Sequence, residues 1–230
     1  METKKNGSSL IKNNYEVRKI DNSETWPFLL NKHYLKRIPS ISFSFGLYKV
    51  NAKFKAIEGV VTFGIPVSKE LRLNICGEKF EKKVYELNRL CLLHNEKNLA
   101  SFLVSNAIKQ LPKPTIVISF ADTELHCGYI YQATNFNYIG KTKPVLRWKN
   151  VDGKHSRSIK KGEFGEIIRN NKDWWQEREK PKHRYIYFHT SKTLKKHLIK
   201  NLQHPIQNYP KIENKNYDSG GDCERQGVLF

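Results

Sequence analysis

The amino-acid sequence predicts an α+β protein, a sheet layered with helices. Three observations point there. Short alternating or β-branched runs recur along the chain, two longer segments carry apolar residues at helical spacing, and the order reads hairpin, strand, helix, strand, helix, strand. Hydrophobic residues make up 38% and aromatic residues 12% of the 230, enough for a real core. The length suits one domain, expected over 21–204, between flexible polar tails at 1–20 and 205–230.

The elements follow in order. "WPFLLNKHYL" (26–35) predicts a short helix entered through Pro27 and stopped near Pro39. "ISFSFGLYKV" (41–50) alternates apolar and polar residues as a half-buried strand does, and "KAIEGVVTFGIP" (55–66) predicts its hairpin partner. "KVYELNRLCLL" (83–93) predicts a third strand. "NLASFLVSNAIKQL" (98–111) places Leu99, Phe102, Leu103 and Ala107 on one helical face, with Asn98 as N-cap and Pro112 and Pro114 as a stop. "TIVISF" (115–120) is short, uninterrupted and β-branched, the signature of a buried central strand. "PVLRWKN" predicts another strand. The charged stretch 151–180 carries a short helix near 163–169, "HRYIYFHT" (183–190) predicts a last strand, and "SKTLKKHLIKNL" (191–202) an amphipathic helix.

Charge and cysteine usage narrow the function. Lys and Arg total 41 against 22 Asp and Glu, a formal net charge of +19 with a pI near 9.7. Such an excess favours a polyanionic partner, because neutralised phosphates release counterions. Cys76, Cys91, Cys127 and Cys223 fall at no zinc-like or disulfide-framework spacing, and Cys91 reads as a small core residue. No segment is an apolar leader or long enough to span a bilayer, so no membrane partner is expected and the expected location is a reducing cytoplasm. The oligomeric state stays open.

Two stretches carry chemistry. "ELNRLCLLHNEKNLAS" runs from a strand into a helix N-terminus, where free N–H groups favour a phosphate, although an ordinary capped helix fits as well. It resembles the acyl-coenzyme A site of the Gcn5-related N-acetyltransferase (GNAT) superfamily, with Asn95-x-x-Asn98-x-Ala100 standing where that superfamily has Gln/Arg-x-x-Gly-x-Gly/Ala. The resemblance implies that Arg89, Leu90, Cys91, Asn95, Asn98, Ala100 and Ser101 hold acetyl-CoA or a related donor. In "SFADTELHCGYIYQATNF" (119–136), Asp122 ends a buried strand, a ligand-facing position, and His126 and Tyr131 lie just beyond. Read alone, Asp122 caps a turn and Tyr131 buries its ring.

"ELNRL", "NLASFLVS" and "ISFADTELHCGYIYQATNFNYIG" together resemble the Mom family of phage DNA-modification proteins, as do "NKHYL" (31–35) and "PKHRYIYF" (181–188), over residues 25–190. The resemblance implies an acetyltransferase-like fold with a mixed, mostly antiparallel sheet and flanking helices. It also implies transfer of a carbamoylmethyl group to the exocyclic amine of adenine in double-stranded phage DNA, which shields that DNA from restriction. Acyl transfer from a thioester would join nitrogen to a carbonyl carbon, whereas a carbamoylmethyl group joins it to a CH2 carbon, so another donor or a metal such as iron is implied. His33, Tyr34, Asp122, Tyr131 and Ser101 are then the expected catalytic residues, with His33 as the candidate metal ligand. Three basic, aromatic segments would hold the DNA through Arg147, Trp148, Lys149, Lys154, His155, Arg157, Lys160, Lys161, Lys182 and Arg184. The adenine would have to leave its stack, with Trp148, Trp174, Trp175 or Tyr185 receiving it or filling the gap. Two alternatives are an acetyl-CoA-dependent N-acetyltransferase acting on a protein or small amine, and a non-catalytic DNA-binding protein.

Overall fold

A computed structural model describes residue 11 and residues 13–51, 56–123, 127–151 and 173–211. Its nine strands are β1 (Tyr15–Lys19), β2 (Phe43–Lys49), β3 (Ile57–Gly64), β4 (Val84–Leu92), β5 (Thr115–Asp122), β6 (Asn137–Lys141), β7 (Val145–Asn150), β8 (Trp174–Glu179) and β9 (Lys182–His189). The helices are α1 (Trp26–Asn31), α2 (Lys69–Cys76), α3 (Leu99–Lys109), α4 (Tyr129–Ala133) and α5 (Lys192–Lys200). Seven strands form one sheet in the order β1-β2-β3-β4-β5-β9-β6, and β7 and β8 pair separately as a two-stranded ribbon. Every pairing is antiparallel except β4 with β5. The expected mixed, mostly antiparallel sheet with flanking helices is therefore present.

The parallel pair matters most. β4 and β5 are in register only from Val84–Ile116 to Glu86–Ile118. Beyond that, β4 runs on along β3 and β5 runs on along β9, so the two central strands part. Ser119 Oγ, just past the split, donates to the Leu87 carbonyl at 3.0 Å. β4 also carries a bulge. Thr62 opposes Arg89 and Phe63 opposes Leu87, which leaves Asn88 as the extra residue.

Helices cover both faces. On one, Leu99, Leu103, Val104, Ala107 and Ile108 of α3 pack on Leu87, Leu90, Val117 and Ala121 of the sheet. On the other, α2 and α5 bring Ile75, Cys76 and Leu198 onto Val84, Ile116, Ile118 and Ile186, while Phe28 and Leu29 of α1 cover Val60 and Cys91. The helix ends follow local rules. Pro27 lies in the first turn of α1, and Ser68 and Ser191 accept the backbone N–H groups of Leu71 and Leu194 as N-caps of α2 and α5.

Several expectations shift. The tail expected over 1–20 contains β1, which pairs with β2 at the sheet edge. At the other end, Gln207 N–H donates to the Tyr138 carbonyl and Tyr209 Oη to the Phe136 carbonyl, so the start of the tail expected over 205–230 is bonded to the chain at the start of β6. The helix expected over 26–35 ends at Asn31. The helix expected near 163–169 lies outside the described residues. No helix among the described residues is long and apolar enough to cross a membrane.

Candidate functional site

Where β4 and β5 part, a cleft of about 680 Å³ opens. One wall is Glu86 to Leu90 of β4, and the other is Phe120 and Asp122 of β5. His33, Tyr34, Leu35 and Arg37, from the segment after α1, also line it. Thr142, Lys143, residues of the β7–β8 ribbon from Val145 to Asn150 and Glu179, and Lys180, Lys182 and Arg184 line it as well. Tyr131 belongs to the core on the α3 face yet also lines the cleft, which it meets through the gap between the strands. Eight Lys and Arg side chains line this space (Arg37, Arg89, Lys143, Arg147, Lys149, Lys180, Lys182, Arg184) against three carboxyl groups (Glu86, Asp122, Glu179).

α1 ends two residues before His33, whose N–H still donates to the Phe28 carbonyl at 2.9 Å. The ring is 5% exposed and stacks on Tyr34 at 4.6 Å between centroids, 26° from parallel. Burial, and then the nearby Arg89 charge, push its pKa down to about 4. His33 is therefore neutral near pH 7. Its Nδ1 accepts the Leu35 N–H at 3.1 Å, which puts the ring proton on Nε2. The residue thus presents an N–H donor. Tyr34 is 44% exposed, and the net effect of burial on its phenol is an upward shift, opposed by Arg89 and reinforced by Asp122.

Burial raises the Tyr131 phenol to about 12, a hydrogen bond with Ser119 opposes the rise, and Tyr34 and Glu86 add to it. The hydroxyl keeps its proton across the physiological range. The bulge at Asn88 sets Arg89: its Nη1 donates to the Asn88 carbonyl at 2.6 Å, and Asn88 is fixed in turn by Thr62 Oγ1 at 2.6 Å and the Ser40 carbonyl at 2.9 Å.

The structure brings together His33, Tyr34, Asp122, Tyr131, Arg89 and Leu90, together with Arg147, Trp148, Lys149, Lys182 and Arg184. Others stand apart. Ser101 is not on the cleft wall; its hydroxyl donates to the Asn98 carbonyl at 2.9 Å within its own first turn. Asn95, Asn98 and Ala100 lie off the cleft as well, and the Cys91 side chain is buried against α1. Trp174 and Tyr185, expected to meet an extruded base, are 8% and 0% exposed. Lys154, His155, Arg157, Lys160, Lys161 and His126 lie outside the described residues.

Two polar groups of "GYIYQATNF", Gln132 and Thr134, turn out to serve the scaffold. Gln132 Nε2 donates to the Cys127 carbonyl at 3.1 Å, Tyr185 Oη donates to the same carbonyl, and Thr134 Oγ1 closes α4 on the Ile130 carbonyl at 2.7 Å. Gly128 opens α4 at φ +76°, where a Cβ would stand 2.5 Å from the Tyr185 ring. Tyr131 is the residue of that stretch on the cleft wall. Arg37, Lys143 and Lys180 are also there, and sequence reasoning missed them because nothing local separates a rim lysine from any other exposed one.

The implied cofactors find little support in these residues. At the start of α3, Asn98 is left-handed at φ +67° and the Leu99 N–H is used by the Glu96 carbonyl at 3.1 Å. The Glu96 carboxylate, two residues before Asn98, accepts from Tyr15 Oη at 2.8 Å. These contacts lend no support to a pyrophosphate at this loop. Among the described residues no three His, Cys, Asp or Glu side chains cluster closely enough to hold a metal ion, so His33 lacks companions of that kind.

These features define a class: a mixed α+β protein with a cation-rimmed polar cleft at the parting of two parallel strands. The profile of the Mom protein family matches residues 14–211, and the chain belongs to that family. It is 29% identical over 191 residues to "Methylcarbamoylase mom" of Escherichia phage Mu, a match that spans 78% of this chain and 77% of the relative.

Proposed function

We propose that the protein is a DNA-modifying transferase that places a carbamoylmethyl group on N6 of adenine in double-stranded DNA, and so protects phage DNA from host restriction. The observation that carries this reading is the cleft itself, whose polar floor of His33, Asp122 and Tyr131 lies inside a rim of lysines and arginines. Membership of the Mom family supports it. The parting of β4 and β5 and the bulge at Asn88 support an acetyltransferase-like fold as its frame.

The residues divide the work by depth. Arg147, Lys149, Lys143 and Lys182 at the rim hold backbone phosphates without reading sequence. His33 and Tyr131 are buried while these lysines and Arg147 are more exposed, so the adenine is extruded to reach the two buried side chains. The exposed ring of Tyr34, backed by His33, offers it a stacking face. The Asp122 carboxyl accepts from the N6 amine, which raises the electron density on a nitrogen otherwise delocalised into the ring. Tyr131, still protonated, and the His33 Nε2–H are fixed donors that orient the carbonyl oxygen of the carbamoylmethyl group. As the N6–CH2 bond forms, the bond from that CH2 to the donor's leaving group breaks, the leaving group takes the electron pair, and N6 gives up a proton to Asp122. No step is assigned to coenzyme A or to a metal.

Nucleoside mass spectrometry of DNA from cells expressing the protein tests this. The expected result is a deoxyadenosine heavier by one carbamoylmethyl group. Unaltered deoxyadenosine, with the protein folded and soluble, would refute the assignment. An acetyl adduct would point to the acetyltransferase alternative, and tight DNA binding with no mass change to the non-catalytic one.

A further inference from the structure

The β7–β8 ribbon carries a carboxylate among the cations that face the cleft. Arg147 and Lys149 are the cations of β7 on the cleft lining, and Glu179 lines the cleft with them. Glu179 ends β8 and pairs with Val145, so it lies diagonally across from Arg147 on one face of the ribbon. Its Oε2 accepts from Arg147 Nε at 2.7 Å, and its Oε1 stands 3.8 Å from Lys149 Nζ. Burial works to raise the carboxyl, but the bond from Arg147 and the charges of Arg147, Lys182 and Lys149 outweigh it and hold the group below the ordinary carboxylate range. The group is therefore anionic near pH 7. The contact is also open to solution, with the Arg147, Glu179 and Lys149 side chains 31%, 25% and 41% exposed. Arginine and lysine grip a carboxylate and a phosphate through the same charge-assisted hydrogen bonds. Glu179 thus occupies cations that the functional reading gives to the DNA backbone.

We propose that Glu179 is a resident competitor for DNA phosphate: it holds Arg147 and Lys149 in the free protein and is displaced from them when duplex DNA enters the cleft. This deepens the functional reading above and rests on it for DNA as the partner. A chain with a formal net charge of +19 holds polyanions of any sequence, and Glu179 weakens that hold at the cleft. Each duplex that binds breaks the Arg147–Glu179 contact and leaves a carboxylate near a phosphate. Both effects oppose binding, and neither depends on the base sequence. An ion pair that only staples β7 to β8 has the opposite consequence, since its loss would loosen the ribbon and weaken binding. Glu177 supplies the comparison: it is exposed and lies directly opposite Arg147 in the ribbon, yet Arg147 pairs with Glu179.

The test is a salt titration of duplex binding by the full chain, followed by fluorescence anisotropy of a labelled duplex. Glu179→Gln removes the charge and keeps the shape. It is expected to bind about fivefold tighter at about 0.1 M salt, and to steepen the slope of log affinity against log salt by about 0.9, the share of one further phosphate. Glu177→Gln removes an equal charge two residues away and is expected to change affinity by less than about twofold. In an Arg147→Gln background, Glu179→Gln is expected to lose at least about half of its gain. Glu179→Ala reads the same quantities should Glu179→Gln fail to fold. Unchanged or weaker binding by the Glu179 variant would overturn the proposal. So would an equal gain from Glu177→Gln, or a gain that stays whole without Arg147. Tighter binding by Glu179→Gln, with no modified adenine in cells making wild type, would sink the functional reading alone. Modified adenine from wild type, with Glu179→Gln binding no tighter, would sink the competitor alone.

Discussion

His33 gives the account a quantitative test in stability. Its ring is buried beside Arg89, and both effects disfavour the imidazolium. In the unfolded chain the ring titrates near 6.5, and in the folded protein near 4. Between those values the unfolded state takes up a proton that the folded state refuses, so folding stability falls as the pH drops through that window. The loss begins near pH 6.5 and is complete below about pH 4. The fall from 6.5 to about 4, at about 1.36 kcal/mol per pH unit, corresponds to about 3 kcal/mol. His183, His189 and His204 are also held below the ordinary range by burial, so wild-type stability alone mixes several sites. The difference between wild type and His33→Asn isolates the one ring, because an asparagine Oδ1 can still accept the Leu35 N–H. Urea denaturation across this pH range should show wild type losing about 3 kcal/mol more than the variant between pH 6.5 and 4. Parallel profiles would mean that His33 is solvated or charge-paired, and the picture of a neutral donor on the cleft floor would fail.

Other outcomes follow from single contacts. Gly128→Ala forces a side chain to φ +76° and into the Tyr185 ring, and should cost about 2–4 kcal/mol in urea denaturation; a loss under about 0.5 kcal/mol would show that α4 can shift freely. Lys143→Ala and Lys149→Ala should weaken binding to all duplex sequences alike, and each should reduce the salt slope by about one; a loss confined to some sequences would mean that these residues read bases. Ser101→Ala removes a hydroxyl used within its own helix turn, and should leave the yield of modified adenine within about twofold of wild type; a large loss would return Ser101 to the chemistry.

Much of the frame is legible in the sequence because it rests on local pattern. The β-branched run 115–120 is the buried β5, and the apolar spacing of 98–111 is α3 within a residue or two at each end. What fails does so for physical reasons. β1 is five residues at a sheet edge, with too little alternation to stand out from a polar N-terminus. The partner of β7 is β8, whose sequence WWQERE reads as charged surface until the ribbon pairs it. The cleft is still less local. His33 and Tyr34 are far from Asp122 in the chain, and only the parting of β4 from β5 brings them to one space. The most distinctive stretch, "GYIYQATNF", misleads in part. Its Gln132 and Thr134 bond to backbone carbonyls, and a sequence cannot tell a polar group that serves the scaffold from one that serves a ligand.

The most direct measurement compares modified deoxyadenosine in DNA from cells making wild type, Asp122→Ala or Tyr131→Phe, with folding and DNA affinity measured for each purified protein. The account predicts modified adenine with wild type and none or nearly none with either variant, while both variants stay folded and bind duplex DNA as wild type does. Full modification by a folded Asp122→Ala protein would place the chemistry somewhere other than the parting of the two central strands.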